Sequence, residues 1–434
     1  MSNPEFKRNL WLSFSLHRLI GMPALLALTF MAVALADFRN EVASGLYTAS
    51  ISMFIFIVWL WGARNANATI VDELRDKTWD QQRMSALDPW TMTWGKLFGS
   101  TSFNWYGGLM CMVVIATSGF AAGKPDVIPT LLSLCAVGVL LHAALIALNL
   151  HASQFESRLV QRGGIGWLVI IFVFMVLPSF TINHLKPVSW WDMEIDNVLF
   201  WLDSALLFAA CATFAAWRVV SNALQVRTLP WAWPAFACIL AFYFTGFMSD
   251  GSIQSLLLTG LFVAVTMTYA TLLTEPTTLL RWRKLRLLQE KEDWRGWLEH
   301  LPLWPTTLAL TFLFAFLVML TAGEGGLENS RMEFFQPQHG LTVALMLLRD
   351  ACVLLFFAFA PNSKRAVGAA MLYLVVLNML LPLLAGVADL KEARYFFLPF
   401  EAGHDPWSSV LIMTIHAAIA IGLVNWRLRT AEQQ

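Results

Sequence analysis

Arg349 and Asp350 stand side by side inside "HGLTVALMLLRDACVLLFFAFAP", a run that is otherwise apolar enough to cross a bilayer. A charged side chain near the centre of a bilayer costs about 2.5–3.5 kcal/mol on insertion scales, so both are expected to face protein rather than lipid. They could tie helices together, carry protons, or meet an anionic group on a cargo. Successive helical residues point about 100° apart, which predicts that each contacts a different helix rather than simply its neighbour. His142 and Asn149 are the comparable intramembrane polar residues of the first half. Imidazole also ligates haem, which brings in His151 and His416. His142 and His151 are separated by about 900° of helix rotation, so one helix cannot offer both to one haem. The five cysteines form no close pairs, and neither a disulfide framework nor a metal site is expected. Lys96 follows Gly95, but Trp90 and Leu97 occupy positions where a phosphate-binding loop needs Gly and Ser or Thr. No nucleotide site is read in this chain.

A second group of reactive side chains lies in "DELRDKTWDQQRMSALDPWTMTWGK", residues 72–96. Thr78 followed by Gln81 fits a capping box, predicting a short helix from Trp79 until Asp88-Pro89 stops it. Trp79, Met84 and Leu87 would lie toward one side, with Asp80, Gln81 and Arg83 toward the other. Such a helix either rests on the headgroups or docks into another protein. The segment "TEPTTLLRWRKLRLLQEKEDW", which contains Glu275, offers a counterpart in the second half.

The elements that must position these residues follow from composition. The chain of 434 residues is 58% hydrophobic and 13% charged, with a mean hydropathy of +0.61. That is the composition of an all-α polytopic membrane protein, because hydrocarbon offers no partners to unpaired backbone groups. Twelve spans are predicted near 19–37, 44–62, 102–121, 127–149, 165–183, 197–216, 231–248, 252–273, 303–321, 340–360, 366–386 and 407–426. Net charge is zero, but most of the 29 basic residues collect in alternate loops. The opposite loops hold only Arg39, Lys124, Lys186, Arg331, Lys391 and Arg394. The positive-inside rule therefore predicts cytoplasmic termini and a cytoplasmic polar stretch. No cleavable leader is expected.

The order of spans and loops recurs after roughly 200 residues, predicting two parallel six-span halves, 1–216 and 217–434. Each half is expected to open with an amphipathic segment, residues 6–20 and 214–228. "LDPW" at Pro89 has a loose counterpart in "LPLW" at Pro302.

With Glu73, Thr78, Trp79, Asp80, Pro89, Gly95 and Lys96 in these positions, residues 72–96 resemble the cytoplasmic segment between the second and third spans of ABC-2-type permeases. Lys77 stands where that family commonly has Gly, and the resemblance is closer over 1–216 than over 217–434. The outer segments "HLKPVSWWDMEIDN" and "ADLKEARYFFLPFEAGHDPW" agree with the family pattern. The resemblance implies a permease subunit, an exporter, in the cytoplasmic (inner) membrane. It would be driven by separate ATPase subunits, two copies or two different chains, that carry the ATP and Mg themselves. This chain would then need no cofactor, perform no catalysis and bind no nucleic acid. ATPase coupling would fall to Glu73, Thr78, Trp79, Asp80, Arg83, Pro89 and Glu275. An ion-coupled secondary transporter and a haem- or quinone-binding oxidoreductase are the alternative classes.

Overall fold

The structure, a computed structural model, describes residues 3–36, 42–85, 87–153, 187–226, 228–248, 252–275, 278–321, 336–360, 366–399 and 405–432. Among these the chain is almost wholly helical. Ten helices are long and apolar enough to cross a membrane, as a run of about 20 apolar residues requires. The predicted span 165–183 lies outside the described residues. The predicted span 231–248 is a helix of only 14 residues, Ala232–Thr245, about 21 Å at 1.5 Å per residue and shorter than a bilayer core of about 30 Å.

The chain divides into two compact units, residues 1–188 with 194–228, and residues 189–193 with 229–434. In the first unit, α1 (Pro4–Ser13) and α2 (Leu16–Ala36) precede α3, a long helix from Val42 to Arg75. Then come α4 (Thr78–Arg83), α5 (Pro89–Gly99), α6 (Ser102–Ala121), α7 (Val127–Ser153) and α8 (Asn197–Ala223). A short hairpin, β1 (Val188–Trp190) and β2 (Met193–Ile195), precedes α8.

The second unit holds α9 (Ala232–Thr245), α10 (Ile253–Thr274), α11 (Leu279–Glu290) and α12 (Trp294–His300). It continues through α13 (Trp304–Thr321), α14 (Pro337–Ala358), α15 (Ala366–Val387), α16 (Lys391–Phe397) and α17 (Pro406–Glu432).

Three boundaries differ from expectation for identifiable reasons. The predicted first amphipathic segment is broken at Phe14, whose extended backbone separates α1 from α2. The second one does not exist as a separate helix, because residues up to Ala223 continue the span α8. The predicted span 44–62 is the first part of α3, whose last 14 residues, Gly62–Arg75, carry it beyond that span. Those residues alternate polar and apolar groups at helical spacing, burying Ala66, Ile70 and Val71 on one side. A helix amphipathic in this way has no reason to stop at the membrane surface.

A widened π-helical segment, Ile55–Trp61, interrupts α3. Such turns expose backbone carbonyls to side chains, and neighbouring helices use them here. Asn104 on α6 donates to the Ile57 carbonyl at 2.9 Å, and His142 Nε2 meets the Val58 carbonyl at 2.9 Å. A carbonyl only accepts, so the proton of neutral His142 sits on Nε2. The nearby Trp59 indole donates to the Leu134 carbonyl at 2.9 Å. The surrounding core is formed by Phe54, Val58, Cys111, Ile115 and Leu141.

Gly62 lets His142 come this close, since a Cβ there would lie 2.5 Å from Nε2. Gly62→Ala is therefore expected to displace His142 and to cost about 1–3 kcal/mol, the usual price of an overpacked interior. Thermal melting of the purified chain in detergent checks this, and an unchanged melt would show that α3 and α7 part freely at this point.

Candidate functional site

Lys96 is the centre of the polar region at the end of the first unit. It sits on α5 because Asp88 and Pro89 start that helix: the Asp88 carboxylate accepts from the Trp90 and Thr91 amides at 3.0 and 3.1 Å. Pro at the first helical position lacks the N–H that a helix start leaves unpaired anyway. Thr91 also donates its hydroxyl to Asp88. That bond, ahead of the amide bonds, holds the carboxyl below its ordinary range, against the smaller opposing effect of burial.

Two turns on, the Lys96 ammonium is fully buried. It lies 2.5 Å from Glu73 Oε2, 2.8 Å from Gln82 Oε1 and 3.3 Å from Glu5 Oε1. The Trp79 ring lies beneath it, 5.2 Å away at its centroid. Arg8 adds a second cation, 2.7 Å from Glu73 and 3.1 Å from Glu5. Two carboxylates thus face two cations, and every donor on the ammonium has an acceptor. This is the condition under which a buried charge is tolerated.

The cluster joins four elements. Glu5 and Arg8 come from α1, Glu73 from α3, Gln82 and Trp79 from α4, and Lys96 from α5. Asn9 strengthens the α1 side by donating to Glu5 and to the Gly95 carbonyl. Gly95 allows the close approach, because a Cβ there would meet the Glu5 side chain at 2.6 Å. The helix α1 is accordingly inverted: its polar Glu5 and Asn9 are buried, while Trp11 is 87% exposed.

The predicted capping box does not form. Lys77 occupies the N-cap in a left-handed conformation, with φ of 57°. Thr78 donates its hydroxyl to the Glu73 carbonyl at 3.3 Å, so its side chain ties α4 back to α3 instead of capping α4. The helix ends at Arg83, short of the predicted Leu87. Trp79 is buried while Met84 is 82% exposed, so the two do not share an apolar face. Glu73 and Trp79 point inward, whereas Asp80, Gln81 and Arg83 of α4 and Met84 just after it are exposed.

In the second unit Glu275 plays a comparable anchoring part. It accepts from the Leu303 amide at 2.8 Å and faces Arg281 at 3.8 Å. Burial raises its carboxyl above the ordinary range, partly offset by Arg281. Arg281 donates to the carbonyls of His300 and Leu301, fixing α11 against the end of α12.

The intramembrane residues divide between the units. Asn149 donates to Asn67 on α3 at 2.9 Å and to the Leu145 carbonyl at 2.8 Å. In the second unit Arg349 and Asp350 do pair, against expectation, at 2.7 and 2.8 Å. Their Cα–Cβ bonds diverge, yet the long arginine side chain folds back far enough to close the gap. Each also reaches another helix, as predicted: Tyr269 on α10 donates to Asp350 at 2.6 Å, and Arg349 donates to Asn378 on α15 at 2.7 Å. Asn378 belongs to a second π-helical segment, Val376–Leu380.

In the second unit His416 packs edge-on against Phe396 at 4.6 Å. His142 has committed Nε2 to a carbonyl, leaving a buried Nδ1. Among the described residues no group of three His, Cys, Asp or Glu side chains could hold a metal ion. Glu5, Arg8 and Gln82 were not read from the sequence as site residues. Only the inverted pattern of α1, polar inside and aromatic outside, signals the first two.

Comparison with protein-family models, with curated proteins and with solved structures gives no match.

Lys96→Met is expected to cost about 3–5 kcal/mol, because it leaves Glu5 and Glu73 buried with Arg8 as their sole cation. Lys96→Met combined with Glu73→Gln should recover part of that loss. Thermal melts of the two variants check the pair, and equal melts would place the network outside the folding energetics.

Proposed function

We propose that this multi-pass membrane protein is the permease subunit of an ATP-driven transporter, an exporter, with separate ATPase chains docking at the cytoplasmic ends of its helices. The observation that supports this most is the buried cluster of Lys96 with Glu5, Glu73, Arg8 and Gln82. It welds α1, α4 and α5 to the extended end of α3, which continues directly into a membrane span. A push delivered to α4 would therefore travel along a rigid helix rather than dissipate in a loop. The resemblance of residues 72–96 to the coupling segment of ABC-2-type permeases points the same way, as does the clustering of basic residues in alternate loops, which supports a cytoplasmic location for this end.

In this reading Asp80, Arg83 and Met84 make the contact, and Glu73, Thr78, Trp79 and Lys96 hold the helix that presents them. Pro89 starts the helix that carries Lys96. The counterpart in the second unit is α11 with α12, anchored through Glu275. It is much more basic, so the two docking sites would be unequal and suited to two different ATPase chains. One permease chain would then assemble with two ATPase chains.

The ion-coupled alternative draws on one observation, the buried carboxylate of Asp350 held between Tyr269 and Arg349. A membrane-embedded carboxylate is the usual seat of a transported proton.

Reversing the outward charges of α4, Asp80→Lys with Arg83→Glu, is expected to abolish ATP-dependent transport and ATPase co-purification while leaving the melt within about 0.5 kcal/mol of the parent, as exposed substitutions usually do. Normal coupling in that variant would remove α4 from the mechanism. Asp350→Asn separates the driving forces. Transport in vesicles that runs on a proton gradient without ATP, and is lost in Asp350→Asn, would replace the ATPase reading with the ion-coupled one.

A further inference from the structure

Between α1, the start of α2 and the end of α3 lies an open cavity of about 550 Å³, within the range of about 300–1,000 Å³ usual for small-ligand sites. Its walls carry charges of both signs. Arg8 from α1 and Arg18 from α2 line it together with Asp72, Glu73 and Asp76, and Glu73 is already paired with Arg8.

These charges are incompletely used by the protein. Arg18 donates to the Ser13 carbonyl at 3.1 Å and lies over the Phe103 ring at 5.9 Å, with no carboxylate partner among the described residues. Arg8 is 43% exposed beyond its contacts with Glu5 and Glu73. Among the described residues the one cation paired with Asp72 is the exposed Arg75, at 3.8 Å. Asp72 lies in the last turn of α3 and Asp76 is the residue that caps that helix, so both carboxylates belong to the same end of α3 and line the cavity.

Arg18 lies where α2 begins its apolar run, and Leu12 of α1 with Leu16, Leu19 and Ile20 of α2 are exposed apolar side chains. A ligand seated here would have its polar part at the headgroup level and apolar surface running along α2.

We infer that this cavity is a binding site for a zwitterionic phospho-amine headgroup, that of a membrane phospholipid carrying a primary ammonium. The phosphate would take the guanidinium groups of Arg18 and Arg8, which match phosphate oxygens in geometry and charge. The ammonium would lie between Asp72 and Asp76 and donate hydrogen bonds to both. A quaternary ammonium lacks those donors, and a glycerol headgroup lacks the charge, so the site discriminates by the amine. The acyl chains would follow Leu16, Leu19 and Ile20. The inference concerns binding alone and is independent of what drives transport.

The test uses the full chain in detergent, delipidated and then titrated with phosphatidylethanolamine, phosphatidylcholine or phosphatidylglycerol, with bound lipid counted by native mass spectrometry. The parent should retain the ethanolamine lipid at least tenfold more strongly than the other two. Arg18→Ala should reduce that retention about tenfold, as loss of a charge-assisted phosphate contact does. Asp72→Asn with Asp76→Asn should leave phosphate-dependent binding but erase the preference over phosphatidylcholine. Neither variant touches Lys96 or its partners, and a parent-like melt confirms that the fold is intact. Equal retention of the three lipids by the parent, or a preference that survives in both variants, overturns the assignment. Soluble phosphoethanolamine distinguishes the source. Weak competition by it supports a lipid ligand, whereas binding as tight as that of the lipid assigns the cavity to a free metabolite and overturns the lipid reading.

Discussion

A lysine ammonium with no access to water cannot exist in a folded protein unless acceptors surround it. At Lys96 that requirement organises the end of the first unit. Glu73 must come from α3, Glu5 from α1 and Gln82 from α4, and each must arrive within about 3 Å for the desolvation cost to be met. The geometry of four helices is thereby fixed around one nitrogen. Gly95 and Asn9 are consequences of the same demand, one removing a side chain so that α1 can approach, the other holding Glu5 in line. The inversion of α1 follows as well, since a helix recruited for its polar face must turn its tryptophan outward.

The spans were legible because hydrophobic length is a coarse property, averaged over many residues. Ten of the predicted spans coincide with long apolar helices, with shifts mostly at their ends. What the sequence did not disclose is finer and depends on single torsions. Thr78 has the right spacing for a capping box, yet Lys77 takes the left-handed conformation and Thr78 bonds backward to Glu73. Capping of the helix that follows competes here with a bond back to the preceding helix, five residues away, and with Lys77 left-handed Thr78 makes the second. Arg349 and Asp350 point apart at Cβ, which helical geometry predicts correctly, but side-chain reach decides the contact. A rule about directions at Cβ is a poor guide for a residue with as many rotatable bonds as arginine.

Glu73, Trp79 and Lys96 stand out in the sequence as motif positions within residues 72–96, and the structure brings their side chains together. Their orientation was not legible. An amphipathic reading of residues 79–87 treats the segment as an isolated helix on a surface, whereas Trp79 is claimed by the Lys96 ammonium beneath α4. The partner carboxylate Glu5 lies 91 residues from Lys96 along the chain, and no local pattern encodes a pairing at that distance.

The two π-helical segments show a second way of placing polar groups in apolar surroundings. A regular helix consumes its own carbonyls, so a buried polar side chain must find another side chain or go unpaired. A widened turn releases carbonyl oxygen to neighbours. In the first unit this accommodates Asn104 and His142 at Ile57 and Val58 without a charge. In the second unit the widened turn carries Asn378, and it is the side-chain oxygen that meets Arg349. The first arrangement is neutral and closed on backbone, which suits a fixed joint. The second contains an ion pair, a tyrosine hydroxyl and an amide drawn from α10, α14 and α15, and its bonds run between side chains that can exchange partners. Of the two, only the second can change its connections without unwinding a helix, so any rearrangement of polar contacts within the spans is cheaper there than around His142.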